Sequence, residues 1–137
     1  DTTGVTSYYI KVANAGLLRK FAYEHADLNR ESLNESRDAN ELLTKLPSDN
    51  VLLQSFVNYA NNKGGIAPRW YYINISAKLI VNQIKALIAR DIVGMDGYFQ
   101  VVNATDPVVN EALHQLENGG ADFPLTDKTT DKDNGQR

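Results

Sequence analysis

The sequence predicts a mainly α-helical domain: a compact bundle of four or five helices, with one place for a minimal β ribbon and a mobile C-terminal tail. Three observations predict it. Apolar side chains recur at three- and four-residue steps through 9–21, 52–60 and 77–92, the repeat of a buried helical stripe. Residues able to cap free amides (Thr6 or Ser7, Ser48, Ser76, Asp106) precede helical stretches, and glycines follow them. Finally, 137 residues at 42% hydrophobic and 23% charged suit one domain with a real core, not two. The expected boundaries are 1–119 for the helical domain and 120–137 for the tail.

The first helix is expected over about residues 6–28, with Ile10, Ala13, Leu17 and Phe21 on one line and Tyr9, Val12 and Gly16 beside it. Gly16 inside that span costs about 1 kcal/mol relative to alanine, and the reading for it is a packing notch. Residues 27–40, DLNRESLNESRDAN, hold only Leu28 and Leu33 as large apolar side chains, so a solvated connection or a frayed helix is expected there. Leu42, Leu43 and Leu46 follow, and Pro47 stops any helix because it forces the residue before it out of the α region. A second main helix runs from about 49 to 62 on Leu52, Leu53, Phe56, Val57 and Ala60, ending at the Gly64–Gly65 pair.

Residues 69–75, RWYYINI, are aromatic and β-branched and read locally as a strand, although the same run would serve as a lead into a helix. The clearest amphipathic stripe is Ala77, Ile80, Val81, Ile84, Leu87, Ile88 and Ile92, a helix over about 76–93 capped by Ser76 and closed by Gly94. GYFQVVNA at 97–104 is the candidate ribbon partner of 69–75. Asp106-Pro107 starts a last helix, with Val108, Val109, Ala112, Leu113 and Leu116 facing inward and Gly119-Gly120 ending it. From 120 on, the chain is too polar to fold by itself.

Chemistry is sparse. A net charge of −3 argues against a general nucleic-acid binder, and no apolar run is long enough to span a bilayer. The absence of cysteine excludes disulfides, thiol nucleophiles and Cys-ligated zinc. The chain opens at Asp1 without a secretory signal pattern and its one methionine is Met95, so it reads as a segment of a larger translation product. Glu111 and His114 share a helix face at the spacing used by carboxylate-bridged metal pairs, but the residue three before His25 is Ala22, so the second motif is missing and no metal or cofactor is expected. Glu24, His25 and Asp27 are close in sequence yet point in different directions on a helix. Lys63 beside Gly64 and Gly65 lacks the rest of a phosphate loop and reads as a helix end. The aromatics Tyr8, Tyr9, Trp70, Tyr71 and Tyr72 are core candidates by default; if the domain docks on another part of a larger chain, they are the contact candidates.

Five strings, in order, carry a family resemblance: DTTGVTSYY at 1–9, GLLRKFAYEHADLNR at 16–30, the Pro68-x-Trp70 step, QIKALIARDIVG at 83–94, and Tyr98 followed by NATDPVVNEAL at 103–113. Over about residues 1–116 the chain resembles the region after the catalytic core of carboxyl-terminal processing peptidases, the tail-specific serine proteases, particularly those of Bacteroidetes-type bacteria. The resemblance implies a parent enzyme in the periplasm or cell envelope. Its PDZ module would grip substrate C-termini, and its core would use a serine nucleophile and a lysine base held neutral by burial. Neither catalytic motif is in this chain. Ser76 and Lys78, two apart at an expected helix start, are not assigned the role, so no catalytic residue is carried over. The expectation is a non-catalytic helical domain whose partner is the rest of the protease chain, through which it meets protein substrates. The alternative is a free-standing helical protein-binding module that uses the aromatic cluster.

Overall fold

A computed structural model describes residues 3–104. Within them the chain forms seven helices: α1 Ser7–Asn14, α2 Leu17–Leu28, α3 Arg30–Asn34, α4 Ala39–Thr44, α5 Asp49–Gly64, α6 Trp70–Val93 and α7 Met95–Asn103. No strand occurs among the described residues, so the ribbon pairing 69–75 with 97–104 is replaced by helix at both places. The expected helix after Asp106, its glycine stop, the Glu111–His114 step and the tail at 120–137 lie outside the described residues.

The architecture is organised by α6, which contacts α1, α2, α3, α4, α5 and α7. Its sequence explains why. Ile73, Leu79, Ile80, Val81, Ile84, Leu87 and Ile88 surround most of its circumference and are all buried, and a helix that is apolar nearly all round must be wrapped by others. The helix begins six residues earlier than the expected start at 76. Trp70, Tyr71 and Tyr72 are its first turn, and Ile73 is fully buried, so packing outweighs the strand preference of these residues. Ser76 is accordingly an internal helix residue and not a cap.

The single helix expected over 6–28 is two. Thr6 caps α1, accepting from the Tyr9 amide at 3.3 Å, but the chain breaks at Gly16, whose φ of +72° is left-handed. A Cβ at Gly16 would meet only the Arg19 guanidinium, at 3.6 Å, so the glycine supplies a backbone conformation and not the packing notch expected for it. The break also turns Ile10 outward, leaving Tyr8, Tyr9, Val12 and Ala13 as the buried line of α1. Residues 27–40 are more ordered than expected. Asp38 caps α4 through the Glu41 amide at 2.9 Å, and Leu33 and Ala39 are buried, which anchors two short helices to the core. Leu28 is exposed.

α5 matches the expectation from its Ser48 cap to Gly65, whose left-handed φ of +67° ends it. Its Phe56 packs edge-on against Phe21 of α2, ring centroids 5.5 Å apart. Gly94 closes α6 as expected, at φ +85° and ψ −172°, a region open essentially to glycine alone, and so lets α7 begin one residue later.

Candidate functional site

The five aromatic contact candidates do not form one surface. Tyr8 and Tyr9 are buried inside this unit, and burial pushes the Tyr8 phenol up to about 12. The α1 stripe turns them onto the bundle. The other three open α6. Tyr72 is half-buried, with the Arg69 guanidinium 5.3 Å over its ring and the Tyr71 ring edge-on at 5.2 Å. Trp70 is 38% exposed and Tyr71 74%. One turn further along the same face lies Ile75, also exposed, which the strand reading of 69–75 hid: on a strand Tyr71 and Ile75 are merely alternate positions, on a helix they are stacked neighbours. Lys78 continues this face at the next turn and is exposed.

Behind this face, the chain leading into α1 is tied to α6. The Ser76 hydroxyl donates to the Gly4 carbonyl, and the Thr6 hydroxyl, 2.7 Å away, therefore donates to Ser76 Oγ, since each hydroxyl has one proton to give. Thr6 Oγ1 in turn accepts the Tyr9 amide. The result is an unbroken run of donors from α1 through α6 to the lead-in. Ser76 is fully buried, with its oxygen committed at both lone-pair and proton, while Lys78 faces solvent. The two side chains do not meet, and Lys45 Nζ reaches Ser32 only at its backbone carbonyl, 2.7 Å away. Ser76→Ala should lower stability by about 1–3 kcal/mol, because it leaves the Gly4 carbonyl without this donor and the Thr6 hydroxyl proton without its acceptor. Urea unfolding measures the loss, and hydrogen exchange should show it concentrated at the start of α1; an unchanged midpoint would contradict the role.

The acid–base cluster at the end of α2 disperses. Glu24 accepts from the Tyr59 hydroxyl at 2.8 Å, Asp27 pairs with Arg30, and His25 stacks on Phe21 with centroids 6.4 Å apart. Burial raises the Tyr59 phenol to about 12, with the Glu24 carboxylate adding to it. Burial also lowers the pKa of His25, which fixes the sign of a pH effect. As pH falls through the ordinary histidine range the unfolded chain takes up its proton first, so stability declines, and the loss levels off below the folded-state value. Urea midpoints at pH 7.5 and pH 5 should fall further apart for the wild type than for His25→Gln. An equal change in both proteins refutes this.

No group of three or more His, Asp or Glu side chains able to hold a metal ion occurs among the described residues. No described helix is long and apolar enough to cross a membrane. At the start of α6 the described surface exposes aromatic and aliphatic side chains, Trp70, Tyr71 and Ile75, flanked by Arg69 and Lys78.

Comparison with known proteins gives a match over residues 8–94 to the model of a family described as a family of unknown function (DUF8443). These residues run from α1 to the glycine that closes α6. No curated protein and no solved structure matches the chain.

Proposed function

The chain belongs to the DUF8443 family, whose function is unknown, and on the resemblance of its strings we propose that it is a non-catalytic helical domain of a tail-specific serine protease, whose Ser/Lys pair lies elsewhere in the parent polypeptide. The observation that carries the reading is where the resembling strings fall. GLLRKFAYEHADLNR covers α2, with Leu17, Leu18, Phe21, Ala22 and Ala26 buried. QIKALIARDIVG is the second half of α6, with Ile84, Leu87 and Ile88 buried, and Tyr98 is buried in α7. DTTGVTSYY leads into α1 and supplies the Gly4 and Thr6 partners of Ser76. These strings are thus occupied in folding the bundle, which fits a domain whose task is to pack against a catalytic core, stabilise it and shape access to it. In this reading the partner is the rest of the protease chain, in the periplasm or cell envelope, and substrates are proteins cut near their C-termini.

The test has two arms. The isolated chain, incubated with unfolded and C-terminally tagged proteins, should cleave neither, and serine-dependent cleavage by it would overturn the proposal. The full gene product should label with a serine-directed fluorophosphonate upstream of Asp1; a full product that neither labels nor cleaves would equally overturn it.

A further inference from the structure

We infer that the first two turns of α6, with Tyr71 and Ile75 at the centre and Arg69 and Lys78 at the rim, are the face on which this domain docks an acidic, apolar surface of its own parent chain; this rests on the function proposed above. Charge is the first argument. From residue 50 to residue 90 the chain has no aspartate or glutamate, yet it carries Lys63, Arg69, Lys78, Lys85 and Arg90, in a protein whose net charge is −3. Lys85 is neutralised by Asp49 at 2.6 Å, and Arg90 is engaged by the Tyr23 hydroxyl at 3.0 Å and the Tyr98 ring. Arg69 and Lys78 have no carboxylate partner among the described residues. Two exposed cations that flank an exposed tyrosine and isoleucine in sequence, with no carboxylate paired to them among the described residues, form a surface complementary to carboxylates around an apolar centre.

Tethering is the second argument. The lead-in is fixed on this same part of α6: the Gly4 carbonyl is held by Ser76, and the Cβ direction of Gly4 points at the Ile75 carbonyl and Leu79, 3.5 Å and 3.7 Å away. In the function proposed above the parent chain precedes this lead-in, so docking beside Ile75 would be intramolecular and would gain from a high effective concentration. Tyr71 and Ile75 are rigid enough, on a 24-residue helix, to serve as anchors at small ordering cost.

The experiment uses the full gene product with the photo-cross-linking residue benzoylphenylalanine in place of Tyr71, and with the same residue in place of the exposed Gln54 of α5 as control. Irradiation should join position 71 to residues upstream of Asp1 in the same molecule, should leave position 54 unjoined to that region, and Lys78→Glu should cut the yield several-fold. Cross-links to a second copy, to lipid or to nothing overturn the docking face, as does a yield indifferent to Lys78→Glu. Fluorophosphonate labelling of the same sample separates this from the functional reading. Cross-linking to an upstream region that does not label keeps the face and discards the protease; labelling without cross-linking does the reverse.

Discussion

Replacing Phe56 by alanine is expected to lower the unfolding free energy by about 3–5 kcal/mol, the range for emptying a fully buried aromatic site. Phe56 sits on α5 with no exposed surface, and its ring meets the edge of Phe21, which itself contacts Tyr59 at 5.4 Å and His25. This aromatic set is what binds α5 to α2. Three consequences of the substitution add up: the ring's burial is lost, the edge-on contact with Phe21 is lost, and a cavity remains because the flanking helices are held by α6 and cannot close in. In a domain of about 100 residues each kcal/mol moves the melting temperature by roughly 4–8 °C, so a drop well above 10 °C is expected in calorimetry. Phe56→Leu, which keeps most of the volume, should lose much less. A Phe56→Ala loss below about 1 kcal/mol would mean that α5 and α2 are not joined through this ring.

The same packing logic explains what was legible in the sequence. The stripe from Ile80 to Ile92 shows helix because period and burial agree there. At 70–75 they conflict: tryptophan, tyrosines and isoleucines in a row carry a local strand preference, and only the burial of Ile73 against the bundle, a non-local fact, decides for helix. Pro68, just ahead of the first turn, was the one local sign of a helix start. At Gly16 the sequence shows a glycine but not its φ, and a glycine that breaks a helix looks the same as one that notches it. Leu33 and Ala39 are isolated among polar residues, so no periodicity announces their burial. The exposed patch at the start of α6 was half legible for the same reason: Trp70, Tyr71 and Tyr72 are conspicuous by type, whereas Ile75 joins them only once the helix is known. The acid-free run from 50 to 90 needs no structure to be seen. Its meaning does, because only the structure shows that Lys85 is paired with Asp49 and Arg90 with the Tyr23 hydroxyl, whereas Arg69, over the Tyr72 ring, and Lys78 have no carboxylate partner among the described residues.

Gln83→Met is expected to raise stability by about 1–3 kcal/mol, the opposite sign to every other substitution at a buried position considered above. Gln83 lies at the middle of α6, fully buried, and neither its amide oxygen nor its amide nitrogen has a hydrogen-bond partner among the described residues. Its neighbours one turn away on the same helix are Leu79, Ile80 and Leu87, all apolar and buried. An amide taken out of water without compensation costs free energy that folding must recover elsewhere, and methionine offers nearly the same length and flexibility without a polar atom. Gln83→Glu keeps the shape but adds a charge, and should destabilise strongly at neutral pH with partial recovery in acid, as the buried carboxyl takes up a proton. Urea unfolding of the three proteins at pH 7 orders them Met above Gln above Glu. If Gln83→Met is instead destabilising, the amide is bridged by an internal water, which would make it a structural linker of the bundle; loss of that water's bonds then outweighs the gain in apolar burial. The position also speaks to the proposed role. A stabilised Gln83→Met bundle that keeps the cross-link from position 71 would show that α6 carries the amide at a cost in stability unrelated to the proposed contact, since Gln83 is enclosed whereas Tyr71 and Ile75 are exposed.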